Sequence, residues 1–210
     1  PAVRPGIPLM EHLGQLFAGL ADAPLATIDV EVRGEIAELE VGVLRLAALK
    51  GVFSNAVTET VSYVNAPLLA EQRGVTVRLT TDPVAEDYRN VLTIKGTTTD
   101  GGVLSVSGTL AGTKQAEKIT EINGYDIEVP VDRHLVVMEY TDRPGIVAIY
   151  STALGDADIN IAGMQMARRG RGSDQLSVLT LDSAVPEELL AQIQRDVDAS
   201  VLRQVEIVDL

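Results

Sequence analysis

Cysteine and tryptophan are both missing from these 210 residues, and aromatic side chains make up only 3% of them. The first absence excludes disulfides, thiolate nucleophiles and Cys-bound metals; an iron-sulfur cluster would need ligands from another chain. It suits a reducing cytoplasm, the compartment expected for this chain. With so few aromatics, a core has to be assembled from Val, Leu, Ile and Ala, for which a hydrophobic content of 46% is ample. Basic residues are also scarce. Seventeen Lys and Arg stand against thirty Asp and Glu, a formal net charge of -13. That field repels phosphate backbones and anionic lipid, so neither nucleic acid nor a membrane is expected as a partner. No apolar run approaches the roughly 20 residues of a membrane span, and the start lacks the order of a signal sequence. A small anionic ligand in a local basic pocket remains open.

What is present is regular patterning in two styles. Leu9, Leu13, Leu16, Phe17 and Leu20 recur at helical spacing over residues 6–23, which Ala23-Pro24 ends. Ile28, Val30 and Val32 alternate with Asp29, Glu31 and Arg33 as in a half-buried strand. A helix is expected over 41–53 and another over 58–72, the latter disturbed at Asn65-Ala66-Pro67. From Gly74 to Val129 the pattern is β-like, with a tight hairpin at Asp100-Gly101-Gly102 and another turn at Ile122-Asn123-Gly124-Tyr125. Pro130-Val131-Asp132-Arg133 reads as a joint. Beyond it the expected elements are strand 135–140, helix 144–154, strand 160–167, strand 175–182, helix 186–199 and strand 203–208. That order is β-α-β-β-α-β, the ferredoxin-like one. The fold class is therefore α+β: a helix-plus-sheet domain over 1–130, then a compact domain over 131–210.

The residues richest in chemistry sit at the first turn of the second domain. Pro144 fixes a helical φ and lacks the N–H that a first helical turn leaves unpaired. Asp142 can accept from the free N–H groups of that turn, and Gly145 allows close backbone approach. Exposed N–H groups at a positive helix end suit a carboxylate, while the Asp142 side chain suits an ammonium group. Both charges of a free amino acid are thereby met. Asn160 offers a donor and an acceptor, and can come from a facing subunit. Local signals alone favour the simpler reading, a helix-capping Asp142, a plain Pro144-Gly145 turn and an Asn160 that merely starts a strand, because caps are commoner than ligand sites.

Context favours the ligand. A strand, then Tyr140-Thr141-Asp142-Arg143-Pro144-Gly145, then a helix and the Ile159-Asn160-Ile161 strand resembles the ACT domain, a small amino-acid-sensing module. The resemblance covers residues 134–210 and implies an effector bound across a dimer interface by Tyr140, Asp142, Arg143, Pro144, Gly145, Asn160 and Ile161. Upstream, Gly34-Glu35-Ile36-Ala37, the run Leu44 to Phe53, Val64-Asn65-Ala66-Pro67, Val106 to Leu110 and Ile119 to Gly124 look like the intervening domain of D-3-phosphoglycerate dehydrogenase. That likeness implies L-serine as the effector, self-association through the ACT domain, and a parent enzyme that oxidises 3-phosphoglycerate with NAD at the start of serine synthesis.

No catalytic residue, metal or cofactor is expected within this chain, which should be inactive alone. No Gly-x-Gly-x-x-Gly follows a strand; Gly101-Gly102 falls in a hairpin and Arg169-Gly170-Arg171-Gly172 in a turn. His12 and His134 lack the Glu and Arg companions of a hydride-transfer site. Lys118, near Lys114, matches a basic position with which the family's intervening domain holds phosphate, and is a candidate anion-binding residue against the simpler reading of a solvated lysine. Arg168, Arg169 and Arg171 read most simply as a solvated hairpin tip. Asp82, Glu86, Asp87, Asp156 and Asp158 lack the spacing of a calcium loop. Two other readings stand beside the first: a regulatory subunit of an iron-sulfur L-serine dehydratase, and a stand-alone amino-acid-binding module.

Overall fold

A computed structural model describes residues 2–58, 60–168 and 173–209. The chain divides into two compact units, Pro1–Gly124 and Tyr125–Leu210. The division thus falls at the Asn123-Gly124 turn, a few residues ahead of the joint read at 130–133. Both units mix helices with sheet, and the chain is an α+β protein.

The first unit opens with helix α1 (Gly6–Leu20), whose Leu9, Leu13, Leu16 and Phe17 are fully buried. Strand β1 (Leu25–Gly34) buries Ile28, Val30 and Val32, the alternation that its sequence carries. A short 3-10 turn (Glu35–Glu38) leads to α2 (Gly42–Phe53), then α3 (Ala66–Gln72). Strands β2 (Thr76–Asp82), β3 (Asn90–Thr98), β4 (Val103–Ala111) and β5 (Ala116–Ile122) complete the unit. They lie in the order β2-β1-β3-β4-β5, with β2 parallel to β1 and the other pairs antiparallel. Helix α1 rests on this sheet and crosses α2 very closely. A Cβ added at Gly51 would lie 2.0 Å from the Glu11 carbonyl oxygen, and one at Gly14 would lie 2.5 Å from that of Ala48. Across the same seam Lys50 Nζ donates to Glu11 Oε2 at 2.7 Å, and the Tyr63 hydroxyl donates to Glu11 Oε1.

Two sequence expectations are corrected here. No helix runs through the described residues of 58–65: Ser62 N–H donates to Asn65 Oδ1 at 2.7 Å in a turn, and α3 begins only after it. Pro67, read as a disturbance, occupies the first helical turn, where a missing N–H costs nothing. At residues 100–102 the hairpin exists, but only Gly101 has a positive φ, of 92°. The Asp100 carboxylate instead accepts from Thr98 Oγ1 and the Gly102 N–H. Paired positive φ values occur at Asn123 and Gly124, 49° and 80°.

The second unit contains β6 (Tyr125–Pro130), β7 (His134–Thr141), α4 (Ile146–Asp156), β8 (Ile161–Arg168), β9 (Asp174–Leu181), α5 (Glu187–Val197) and β10 (Val201–Glu206). Four of its strands form an antiparallel sheet in the order β10-β7-β9-β8. Even-numbered residues of β7 (Val136, Met138, Tyr140) and odd-numbered residues of β9 (Leu179, Leu181) share one core with Ile146, Tyr150 and Leu154 of α4 and with Ile193 and Val197 of α5. Both helices therefore cover the same face. Leu135 and Val137 on the other face are buried too, so β7 reads as a continuous apolar run. Strand β8 ends this sheet: among the described residues its ladder partner is β9, and β6 lies against it.

Candidate functional site

The turn between β7 and α4 differs from its sequence reading. Helix α4 starts at Ile146, not at Pro144; Gly145 precedes it with a φ of 94°, and no side chain caps its first turn. A side-chain cap from Asp142 is thus corrected. Its carboxylate accepts instead from Arg168 Nη1 at 3.2 Å, joining the turn to the end of β8. Arg143 turns away, donating from Nη2 to the Val197 carbonyl at 3.2 Å, where a cation suits the helix end. Pro144 and Gly145 are exposed.

Tyr140 is fully buried. Gln175 Nε2 donates to its hydroxyl at 2.9 Å, and that hydroxyl is 2.8 Å from Ser177 Oγ, which is buried as well. Tyr140 supports the turn from below through this network. Its hydroxyl is already engaged. Tyr140→Phe is expected to cost about 1–2 kcal/mol, because Ser177 and Gln175 lose a partner inside the core; a urea unfolding curve at neutral pH measures it.

Asn160 lies far from the turn. Its Nδ2 donates to Asp182 Oδ2 at 2.9 Å, and the Asp182 N–H donates to the Asn160 carbonyl at 3.2 Å. At the other end of the sheet the Asp142 N–H donates to the Ser173 carbonyl at 3.4 Å. Ser173 and Asp182 flank β9, so Asp142 and Asn160 are separated by a strand length of about 30 Å. Within one chain they do not form one site. Ile161 packs against the core, so its side chain serves the fold. Lys118 is half-buried on β5, opposite Thr109. Of the basic cluster, Arg168 is placed on Asp142, while Arg169 and Arg171 lie outside the described residues. His12, for which the sequence showed no acidic companion, is buried at 4% exposure, with Nδ1 2.6 Å from Glu117 Oε2. Sequence periodicity put it on α1, but its partner lies in another element.

Two tyrosines have displaced ionisation. Burial, then the neighbouring Tyr140, pushes the Tyr150 hydroxyl up to about 12. Burial, then the hydrogen bond to Glu11, does the same for Tyr63. An unfolded tyrosine ionises near pH ~10. Between these values the folded chain binds more protons than the unfolded one, so stability falls as pH rises from about 10 to about 12. The urea midpoint should decline across that window, and less steeply in Tyr63→Phe.

Among the described residues, no group of three or more His, Asp or Glu side chains is arranged to hold a metal ion. No helix among them is long and apolar enough to cross a membrane.

A sequence profile of the D-3-phosphoglycerate dehydrogenase intervening domain matches residues 2–123, almost the whole first unit. The chain belongs to the D-3-phosphoglycerate dehydrogenase family. It is 38% identical over 208 residues to the D-3-phosphoglycerate dehydrogenase of Mycobacterium tuberculosis, covering 99% of this chain and 39% of that protein. The enzyme of that name from Synechocystis is 34% identical over 194 residues, covering 92% of this chain and 35% of the relative. The Bacillus subtilis enzyme is 28% identical over 208 residues, with 99% and 39% covered. The likeness to these relatives therefore continues through the second unit, and the chain spans about two-fifths of their length.

Proposed function

We propose that this chain is the L-serine-sensing regulatory portion of a D-3-phosphoglycerate dehydrogenase, with Tyr125–Leu210 serving as its ACT domain. The observation that carries the reading is the separation of Asp142 and Asn160 along a sheet in which β8 is the end strand. Two copies joined antiparallel along β8 about a two-fold axis bring the Asn160 end of one to the Asp142 end of the other. Each such junction pairs a carboxylate for the ammonium of serine with an amide for its carboxylate and hydroxyl. The split order β7-α4-β8-β9-α5-β10 supports the ferredoxin-like assignment.

The Arg168–Asp142 ion pair does not oppose this. Both side chains are partly solvated, at 55% and 28% exposure, and such a pair contributes about 0–1 kcal/mol. Serine that binds one quaternary arrangement better than another shifts the population toward it, and so biases the catalytic part of the enzyme. On this reading NAD and 3-phosphoglycerate are handled by that other part, and the assembly is a cytoplasmic homo-oligomer. Lys118 remains a candidate for a second, anionic effector.

Calorimetric titration of the 210-residue chain with L-serine tests the proposal. Saturable heat approaching one serine per chain is expected, with none from D-serine. A folded, dimeric chain that gives no heat with L-serine contradicts it.

A further inference from the structure

The first unit holds a cleft of about 490 Å³ that the serine reading does not use. That volume lies within the range of small-molecule sites. Ile36, Leu39 and Leu110 give it an apolar surface, and Glu35, Arg89, Asn90 and Gln115 contribute polar groups. Its walls are fixed by backbone. The Ile36 N–H donates to Asn90 Oδ1 at 3.0 Å, Thr109 Oγ1 to the Asn90 carbonyl at 2.6 Å, and the Glu35 N–H to the Arg89 carbonyl at 3.4 Å. Asn90 is thus held by both of its oxygens, which leaves its Nδ2 donors for a ligand.

The charges select the ligand class. Arg89 Nε and Nη2 reach Glu35 Oε2 at 2.7 and 2.6 Å, and the pair is well exposed, at 77% and 64%. An ion pair this solvated is weak and opens readily. One cation and one carboxylate beside an apolar lining disfavour a phosphate dianion, which Glu35 repels, and a plain hydrocarbon leaves both charges unused. We infer that this cleft binds a free α-amino acid with an aliphatic or aromatic side chain. Its carboxylate meets Arg89 and Asn90 Nδ2, its ammonium meets Glu35, and its side chain rests on Ile36, Leu39 and Leu110. The site lies in the first unit and stands whether or not serine binds the second.

Nitrogen-15 amide spectra of the 210-residue chain, titrated with L-leucine and L-phenylalanine to about 10 mM, test the inference. Saturable shifts are expected at the backbone amides of Asn90, Gln115 and Ile36, with Asp142 and Asn160 unmoved. The probes 4-methylpentanoate and 3-methylbutylamine, each carrying one of leucine's two charges, should bind at least about tenfold more weakly. Arg89→Met and Glu35→Gln, both at exposed positions, should weaken the preferred amino acid by at least about tenfold while keeping folded spectra. Absence of saturable shifts, shifts confined to other residues, equal binding of 4-methylpentanoate, or an unaffected Arg89→Met variant would overturn it.

Discussion

Gly51→Ala is expected to destabilise the first unit by about 3 kcal/mol, at the upper end of what overpacking costs. The added methyl would sit 2.0 Å from the Glu11 carbonyl oxygen, inside any tolerable contact. The obstructing atom is helix backbone, so relief requires α1 and α2 to move apart. Movement of α1 disturbs Leu9, Leu13, Leu16 and Phe17, all fully buried. Alanine's helix propensity opposes this by about 1 kcal/mol, which is too little to offset the overlap. Gly155→Ala supplies the contrast. It too lies in a helix, but nothing stands within 4 Å of its added Cβ. There the propensity gain acts unopposed, and stability should be unchanged or rise by up to about 1 kcal/mol. Urea unfolding followed by helical circular dichroism compares the two. Equal midpoints for both variants would contradict a close-packed seam between α1 and α2.

Asp142→Ala is expected to weaken L-serine binding about 50-fold, the loss of one charge-assisted hydrogen bond to the ammonium group. The variant should fold normally. Asp142 caps no helix, and Arg168, its charged partner among the described residues, is half-exposed and can turn into solvent. Asn160→Ala should act in the same direction at about tenfold, since a neutral amide contributes less. Tyr140→Phe behaves differently. With its hydroxyl already committed to Ser177 and Gln175, its effect falls mainly on stability. Calorimetry on the three variants separates ligand contacts from support for the turn.

Strand and helix content was legible because β1 alternates cleanly and α1 carries its apolar stripe at helical spacing. Boundaries were less so where one residue type serves two purposes. Pro67 ends a helix or begins one, and only the Ser62–Asn65 turn decides that it begins α3. Pro144 is the reverse case: it looks like a first helical residue, yet the left-handed Gly145 delays the helix to Ile146. At the candidate site, residue types show which groups donate and accept but not which neighbours they meet. The partners that occupy Asp142 and Asn160, Arg168 and Asp182, lie 26 and 22 residues away and are supplied by sheet register. Tyr140 carries the same lesson. Both faces of β7 are buried, so no alternation marked its side chain as interior. Likewise no local signal linked His12 to Glu117 across 105 residues.

The central claim, that a serine site is shared between Asp142 of one copy and Asn160 of another, is tested most directly by complementation. Asp142→Ala and Asn160→Ala chains are unfolded, mixed in equal amounts and refolded together. Random pairing makes about half of the dimers mixed, and each mixed dimer holds one intact site and one doubly broken site. The mixture should therefore recover about a quarter of the wild-type serine-binding capacity, at wild-type affinity, although neither variant binds well alone. A refolded, dimeric mixture that binds serine no better than the two variants separately would contradict the shared site.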